Sequence, residues 1–212
     1  MDIFEAIEMD DQEAASALLA ADPSLAQAHS EEGATPILHA KYHQNDALAQ
    51  ALVEQILAGG AEITLAEAAA IDDSDRVRRL LEAGADTDSR TPDGFTPLQL
   101  AAFFGAPRTA ADLIAAGADY NAVAENPMRI QSLHAAAANR HSEVAIMLID
   151  AGADVNATQR HGWTPLHTAA LHGDAALVTA LIAAGASTTA SNDDGRTPKD
   201  LADEAGFTDL IS

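Results

Sequence analysis

A Gly-Ala-Asp triplet recurs at Gly84, Gly117 and Gly152, and Gly-Ala-Ser follows at Gly185, in steps of 33, 35 and 33 residues. No other feature of the chain constrains its fold as much. A period of this length is one supersecondary unit, too small to bury both of its faces alone, so the units must stack. A second marker keeps the same phase: Thr-Pro stands at Thr96-Pro97, Thr164-Pro165 and Thr197-Pro198. Where that series skips a member, Gln131-Ser132 leads into Leu133-His134-Ala135-Ala136, which keeps the rest of the pattern.

The clearest copy runs Gly162-Trp163-Thr164-Pro165-Leu166-His167-Thr168-Ala169-Ala170-Leu171-His172-Gly173-Asp174, then through Leu177-Val178 and Leu181-Ile182 to Gly185-Ala186. Pro165 suits the first turn of a helix, where its missing N–H has no intrahelical partner, and Thr164 can cap it. Leu166, Ala169 and Ala170 fall at helical spacing, and Gly173 ends the first helix. Leu177, Val178, Leu181 and Ile182 make the apolar stripe of a second helix, closed by Gly185. The polar residues that follow, with Gly195 before the next Thr-Pro, predict a β-turn. This pattern resembles the ankyrin repeat, and the resemblance covers nearly the whole chain. It implies an all-α repeat solenoid: stacked helix-turn-helix units with projecting β-turn fingers, about six to seven units including caps.

The units expected within a single ankyrin-repeat domain over 1–212 are an N-terminal cap at 1–32, copies at 33–63, 64–90, 91–123, 124–157 and 158–190, and a C-terminal cap at 191–212. Ile3, Phe4, Ile7, Leu18 and Leu19 are the apolar positions of the first cap. Between the second and third units Gly60-Ala61-Glu62 passes almost directly into Thr64-Leu65-Ala66, so a finger there is predicted to be missing or truncated. Two extra residues in the turn from Glu125 to Ile130 predict a longer finger. Lys199 and Asp200 replace apolar and histidine positions in the last unit, as expected where an outer face meets water, so the stack is expected to be capped at both ends.

Alanine is abundant and aromatics are few, which suits close helix packing, and the absence of cysteine excludes disulfides, thiolate metal sites and a cysteine nucleophile. With 33 acids against 11 bases the net charge is -22, which disfavours nucleic acid and anionic membranes as partners. The first residues lack the basic start and apolar run of a signal peptide, and no apolar stretch reaches the roughly 20 residues of a membrane span. The expectation is a soluble, cytoplasmic protein, with the alanine-rich, lysine-poor composition pointing to a bacterial source and a monomer favoured.

No catalytic residue set, cofactor or metal is expected. The chain contains no P-loop, dinucleotide fingerprint or nucleophile elbow. Asp72-Asp73-Ser74-Asp75 and Asp193-Asp194-Gly195 do not continue into a calcium loop and suit turn chemistry. His161 and His172 could approach each other, but no third ligand joins them at suitable spacing. In the resembled family, the histidines at His134 and His167 hydrogen-bond the turn backbone. Arg76, Arg78 and Arg79 suit a solvated outer helix face.

The resemblance implies a non-catalytic protein-protein interaction module, binding a partner protein through its concave face and turn tips. Position by position, that face carries Phe95, Ile130 and Trp163 before the Thr-Pro sites, and Tyr42, Phe103, Phe104, Asn139, Leu171 and His172 at the ends of the first helices. Five of the eight aromatics, Tyr42, Phe95, Phe103, Phe104 and Trp163, fall on these expected surface positions, which suits a binding strip ringed by acids, the alternative being that they pack on one another or against the turn at Glu125 to Ile130 and only stiffen the groove. Two alternatives treat the acidity differently: an acidic modulator or inhibitor of an enzyme with a basic surface, or halophilic solvent adaptation carrying no information about partners.

Overall fold

The computed structural model describes residues 1–211. Within them the chain forms thirteen α-helices and no strand, arranged as an all-α solenoid. The inner row comprises α1 (Ile3–Glu8), α3 (Pro36–Tyr42), α5 (Leu65–Ala70), α7 (Pro97–Phe104), α9 (Ser132–Ala138), α11 (Pro165–Leu171) and α13 (Pro198–Glu204). The outer row comprises α2 (Gln12–Ala21), α4 (Asp46–Ala58), α6 (Ser74–Glu82), α8 (Pro107–Ala115), α10 (Ser142–Asp150) and α12 (Ala175–Ala183). Each inner helix packs on the next. The outer helices do likewise, except that α4 does not pack closely on α6.

The inner helices start where the sequence supplies both a cap and a first turn. Thr96, with Pro97 next to it, and Thr197, with Pro198, each form a capping box with the residue three places on, Gln99 and Asp200 respectively. Thr64 does the same with Glu67. These helices bury Leu98, Leu100, Leu133 and Leu166 almost completely, interleaved with buried alanines at 68–70, 101–102, 135–137 and 169–170. Small side chains let neighbouring inner helices approach closely, while the leucines fill the layer between the rows. Truncating one such leucine costs about 2–5 kcal/mol through lost burial and the cavity left behind.

In α7, α9 and α11 the third position after the cap ties one unit to the next. His134 Nε2 lies 3.1 Å from Ala157 O, and His167 Nε2 lies 3.1 Å from Arg196 O. Gln99 performs the same task with its amide, donating to Ala122 O at 2.7 Å and Ile130 O at 3.1 Å. Glu67 differs because it can only accept. Its buried carboxylate takes hydrogen bonds from Thr64 N, Thr64 Oγ1 and, one unit back, Thr35 Oγ1.

Fingers project at 30–34, 91–95, 124–130, 159–163 and 192–196, each closed by a backbone hydrogen bond between its ends. The finger at 124–130 carries the expected insertion. After α4, by contrast, the chain runs from Gly60 straight to the cap of α5, and no finger forms there, in line with the short spacing. The two fingers flanking that gap meet directly: a Cβ on Gly33 would lie 2.9 Å from Asp93 N. Gly33 also has φ +92, so both its backbone conformation and its neighbour require glycine.

Candidate functional site

The finger side of the stack, made of the fingers and the ends of the inner helices, carries two separate aromatic groups where a single strip was expected. The first group is an aromatic cluster. Tyr42 packs edge-on to Phe103 at 5.8 Å between ring centroids and lies 5.2 Å from Phe104, and Phe103 meets Phe104 at 5.0 Å. Lys41 Nζ sits 5.0 Å above the Phe104 ring, a cation–π contact. The Tyr42 hydroxyl donates to Asp93 Oδ2, and burial followed by the Asp93 charge pushes the phenol well above its usual range. These rings are half-buried and hold the stack together, so Phe104 is a poor place to probe binding alone.

Two expected surface residues are corrected. Phe95 and Ile130 are buried, at 6% and 5% exposure. The Thr91 hydroxyl bonds both Phe95 N and Phe95 O, closing the finger so that the chain enters α7 with the ring turned inward. Ile130 occupies the same corner of the longer finger, where its carbonyl accepts from Gln99 and from Ala124 N.

The second group surrounds Trp163 and forms a groove of about 450 Å³. Pro127, Met128 and Ile130 from the long finger make one wall, and Gln159, Arg160, His161 and Trp163 from the next finger make the other. Ala138 at the end of α9, with Thr168 and His172 of the α11 segment, forms the floor. Met128 is 46% exposed because the two-residue insertion carries it past the neighbouring fingers. Trp163 remains half-exposed, with its ring 5.9 Å from the His167 ring that anchors its base. No carboxylate lines this groove, although the chain carries 33 acidic residues, so the expected ring of acids is not what surrounds Trp163.

Of the remaining expected residues, His172 joins Ile130 and Trp163 in this groove, whereas Asn139 lines a different one with Tyr42, Phe103 and Phe104. Leu171 is exposed at 37% but lines neither. Pro127, Met128, Arg160 and Thr168 were not anticipated. The insertion was visible in the repeat spacing, but its contact with the following finger depends on how two units stack. Arg78 and Arg79 are exposed on the outer face, Arg78 pairing with Asp75 and Asp112, whereas Arg76 is partly covered and pairs with Asp73.

The histidines on this side serve structure. Burial pulls His134 down to a pKa of about 4, so its imidazole is neutral. His167 is lowered for the same reason. Its Nδ1 accepts from Thr164 N at 3.1 Å, which leaves Nε2–H to donate to Arg196 O. No helix among the described residues is long and apolar enough to cross a membrane.

Family models for ankyrin repeats match residues 93–125, as a single repeat, and 133–211, as three copies. The chain is 37% identical over 96 residues to the Neurogenic locus Notch protein of Drosophila melanogaster, covering 38% of this chain and 4% of that protein. It is 47% identical over 64 residues to Protein fem-1 homolog A of Danio rerio, covering 30% of this chain and 10% of that one. The chain thus spans a tenth or less of the length of either relative. The repeat period, the paired helix rows, the finger-closing hydrogen bonds and these matches agree: the chain belongs to the ankyrin-repeat family.

Proposed function

We propose that the chain is a non-catalytic protein-binding module whose concave face grips a partner segment between the fingers at 124–130 and 159–163. The observation carrying this reading is the Trp163 groove, apolar on its main surfaces and free of carboxylates in a chain of net charge -22. An aromatic ring in such a groove offers large contact area at small entropic cost, and a desolvated centre is where binding energy concentrates. Arg160 lines the groove, and Arg129 sits in the finger that forms its other wall. Neither forms an ion pair within the described residues. The partner that suits this surface presents an apolar side chain to Trp163 and Met128, with an acidic residue beside it.

Selection of displayed random peptides against the wild-type chain tests the reading, with Trp163→Ala as counter-screen and Thr179→Ala, on the outer helix α12, as control. Recovered peptides should be acid-flanked around an apolar anchor. They should bind Trp163→Ala at least about tenfold more weakly, the loss of a hot-spot residue, while Thr179→Ala leaves affinity unchanged. Basic peptides indifferent to Trp163 and released by modest salt would refute this reading and favour an acidic rim acting on basic partners.

A further inference from the structure

We propose that Glu8, His39 and His43 form a binding site for a divalent transition-metal cation of the zinc type, tying α1 to α3. The three residues come from two helical hairpins. Glu8 is the last residue of α1, His39 lies within α3, and His43 is the C-cap of that helix. A spacing of four residues puts both imidazoles on one helix face. The face is turned towards α1, and one ligand atom from each of the three residues lies within 4.8 Å of the others.

His39 is the fixed member. Its side chain is only 9% exposed, and its Nε2 is buried with no hydrogen-bond partner. Glu8 Oε1 lies 3.4 Å away, at charge-pair distance but without hydrogen-bond alignment. His134 and His167 satisfy the same nitrogen with a backbone carbonyl, Ala157 O and Arg196 O respectively. His39 stands one place later in its helix relative to the capping threonine, so it faces α1 and finds no such carbonyl. Phe4 stands edge-on to it at 5.2 Å and the His43 ring lies 4.7 Å away, walling the nitrogen off from water.

The chemistry suits zinc. His39 Nε2, buried without a hydrogen-bond partner, is placed to offer its lone pair to a cation. Two imidazoles and one carboxylate are three protein ligands of the zinc type, with a fourth position for water, whereas magnesium and calcium favour all-oxygen sets. Tetrahedral ligands at zinc distances stand about 3.3 Å apart. The His39–Glu8 separation of 3.4 Å already matches that spacing. Glu8 and His43 are exposed, so rotation of their side chains closes the remainder.

Zinc chloride titrated into the full chain, followed by calorimetry and by hydrogen exchange of α1, tests the site. Excess magnesium is included because so acidic a surface attracts cations in general. The expected result is one zinc per chain, slower exchange in α1, and affinity reduced about tenfold or more in both His43→Gln and Glu8→Gln. Loss of a direct ligand should cost at least what loss of a supporting residue does. The pair of substitutions His161→Gln and His172→Gln should bind zinc as the wild type does. Both site positions are exposed, so these variants retain the fold. Absence of zinc binding, its displacement by magnesium, or undiminished affinity in His43→Gln and Glu8→Gln would overturn the proposal.

Discussion

The Tyr42 hydroxyl donates a 2.7 Å hydrogen bond to Asp93 Oδ2, joining residues 51 apart in sequence across an intervening unit that contributes to neither. The contact exists because the intervening unit lacks a finger. With nothing between them, the fingers at 30–34 and 91–95 stack directly, and the Tyr42 ring reaches Phe103 and Phe104 beyond the short helix α5. On the outer side the same irregularity leaves α4 separated from α6, with a groove of about 290 Å³ nearby lined in part by Gln50, Ile71 and Asp72. Contacts on the finger side therefore replace packing missing on the outer side.

Tyr42→Phe should accordingly destabilise the N-terminal half more than its small chemical change suggests. A hydrogen bond to a charged acceptor contributes about 1.5–3 kcal/mol, and the lower end applies here because Asp93 is partly exposed and regains water. Asp93 Oδ1 is already buried without a partner, so the bond from Tyr42 is the main satisfaction of that carboxylate. Solenoid units open semi-independently. Hydrogen exchange should therefore accelerate in α3 and α4 while α9 to α12 keep their wild-type protection. Uniform acceleration along the stack, or none, would count against this bridging role.

The missing finger was legible in the sequence because too few residues separate Gly60 from the cap at Thr64. Its consequence was not legible, since no local pattern states that Gly33 and Asp93 become neighbours. The site divides in the same way. Trp163 and His172 could be placed from repeat register, and the groove keeps both. Phe95 and Ile130 share the register of Trp163 yet turn inward, because burial there depends on the size of the side chain and on the closing bonds of each finger. Packing of the aromatics on one another was open in the sequence only as an alternative, and which of them meet was not legible, because Tyr42 belongs to a unit that is not adjacent to that of Phe103 and Phe104. Glu8 was likewise not connected with His39 and His43, since only the packing of α1 on α3 brings them together.

The departure from Thr-Pro at Gln131-Ser132 leaves three defects that can be repaired. Gln131 makes no side-chain cap bond to α9, the buried Ser132 Oγ has no partner, and His134 Nδ1 lacks the bond from its cap residue that His167 enjoys. Replacing Gln131 with Thr supplies a capping hydroxyl, typically worth about 1 kcal/mol, and gives up the 2.9 Å hydrogen bond that Gln131 Nε2 donates to Asn121 O. Replacing Ser132 with Pro removes a buried unsatisfied hydroxyl and fits the first helical position, where no backbone hydrogen bond is lost. Gln131 already has φ -100 and ψ 169, the extended conformation that a following proline demands. The double variant Gln131→Thr, Ser132→Pro should be more stable than wild type by about 1 kcal/mol in urea unfolding, the cap and the removed desolvation outweighing the lost bond to Asn121 O. A loss of stability would show that the Gln131–Asn121 hydrogen bond outweighs both repairs.

His134 makes the fold sensitive to mild acid. Its pKa is about 4 in the folded chain, against about 6.5 for an ordinary histidine, so the unfolded chain binds the proton more readily. The stability this neutral imidazole contributes is complete above the unfolded value. It declines as pH falls below about 6.5 and levels off once pH passes the folded value near 4. From pH 7 to pH 5 the loss from this one group is about 2 kcal/mol, within a full span of about 3. Gln99, at the equivalent position, shows that an amide can bond the following turn without titrating. His134→Gln should therefore keep the bond to Ala157 O, match wild type at pH 7, and be the more stable of the two at pH 5 by about 2 kcal/mol. His39, His141 and His167 are also lowered by burial, so a smaller acid dependence should persist in the variant. Parallel stability curves for the two proteins between pH 7 and pH 5 would show that His134 is not the group that titrates.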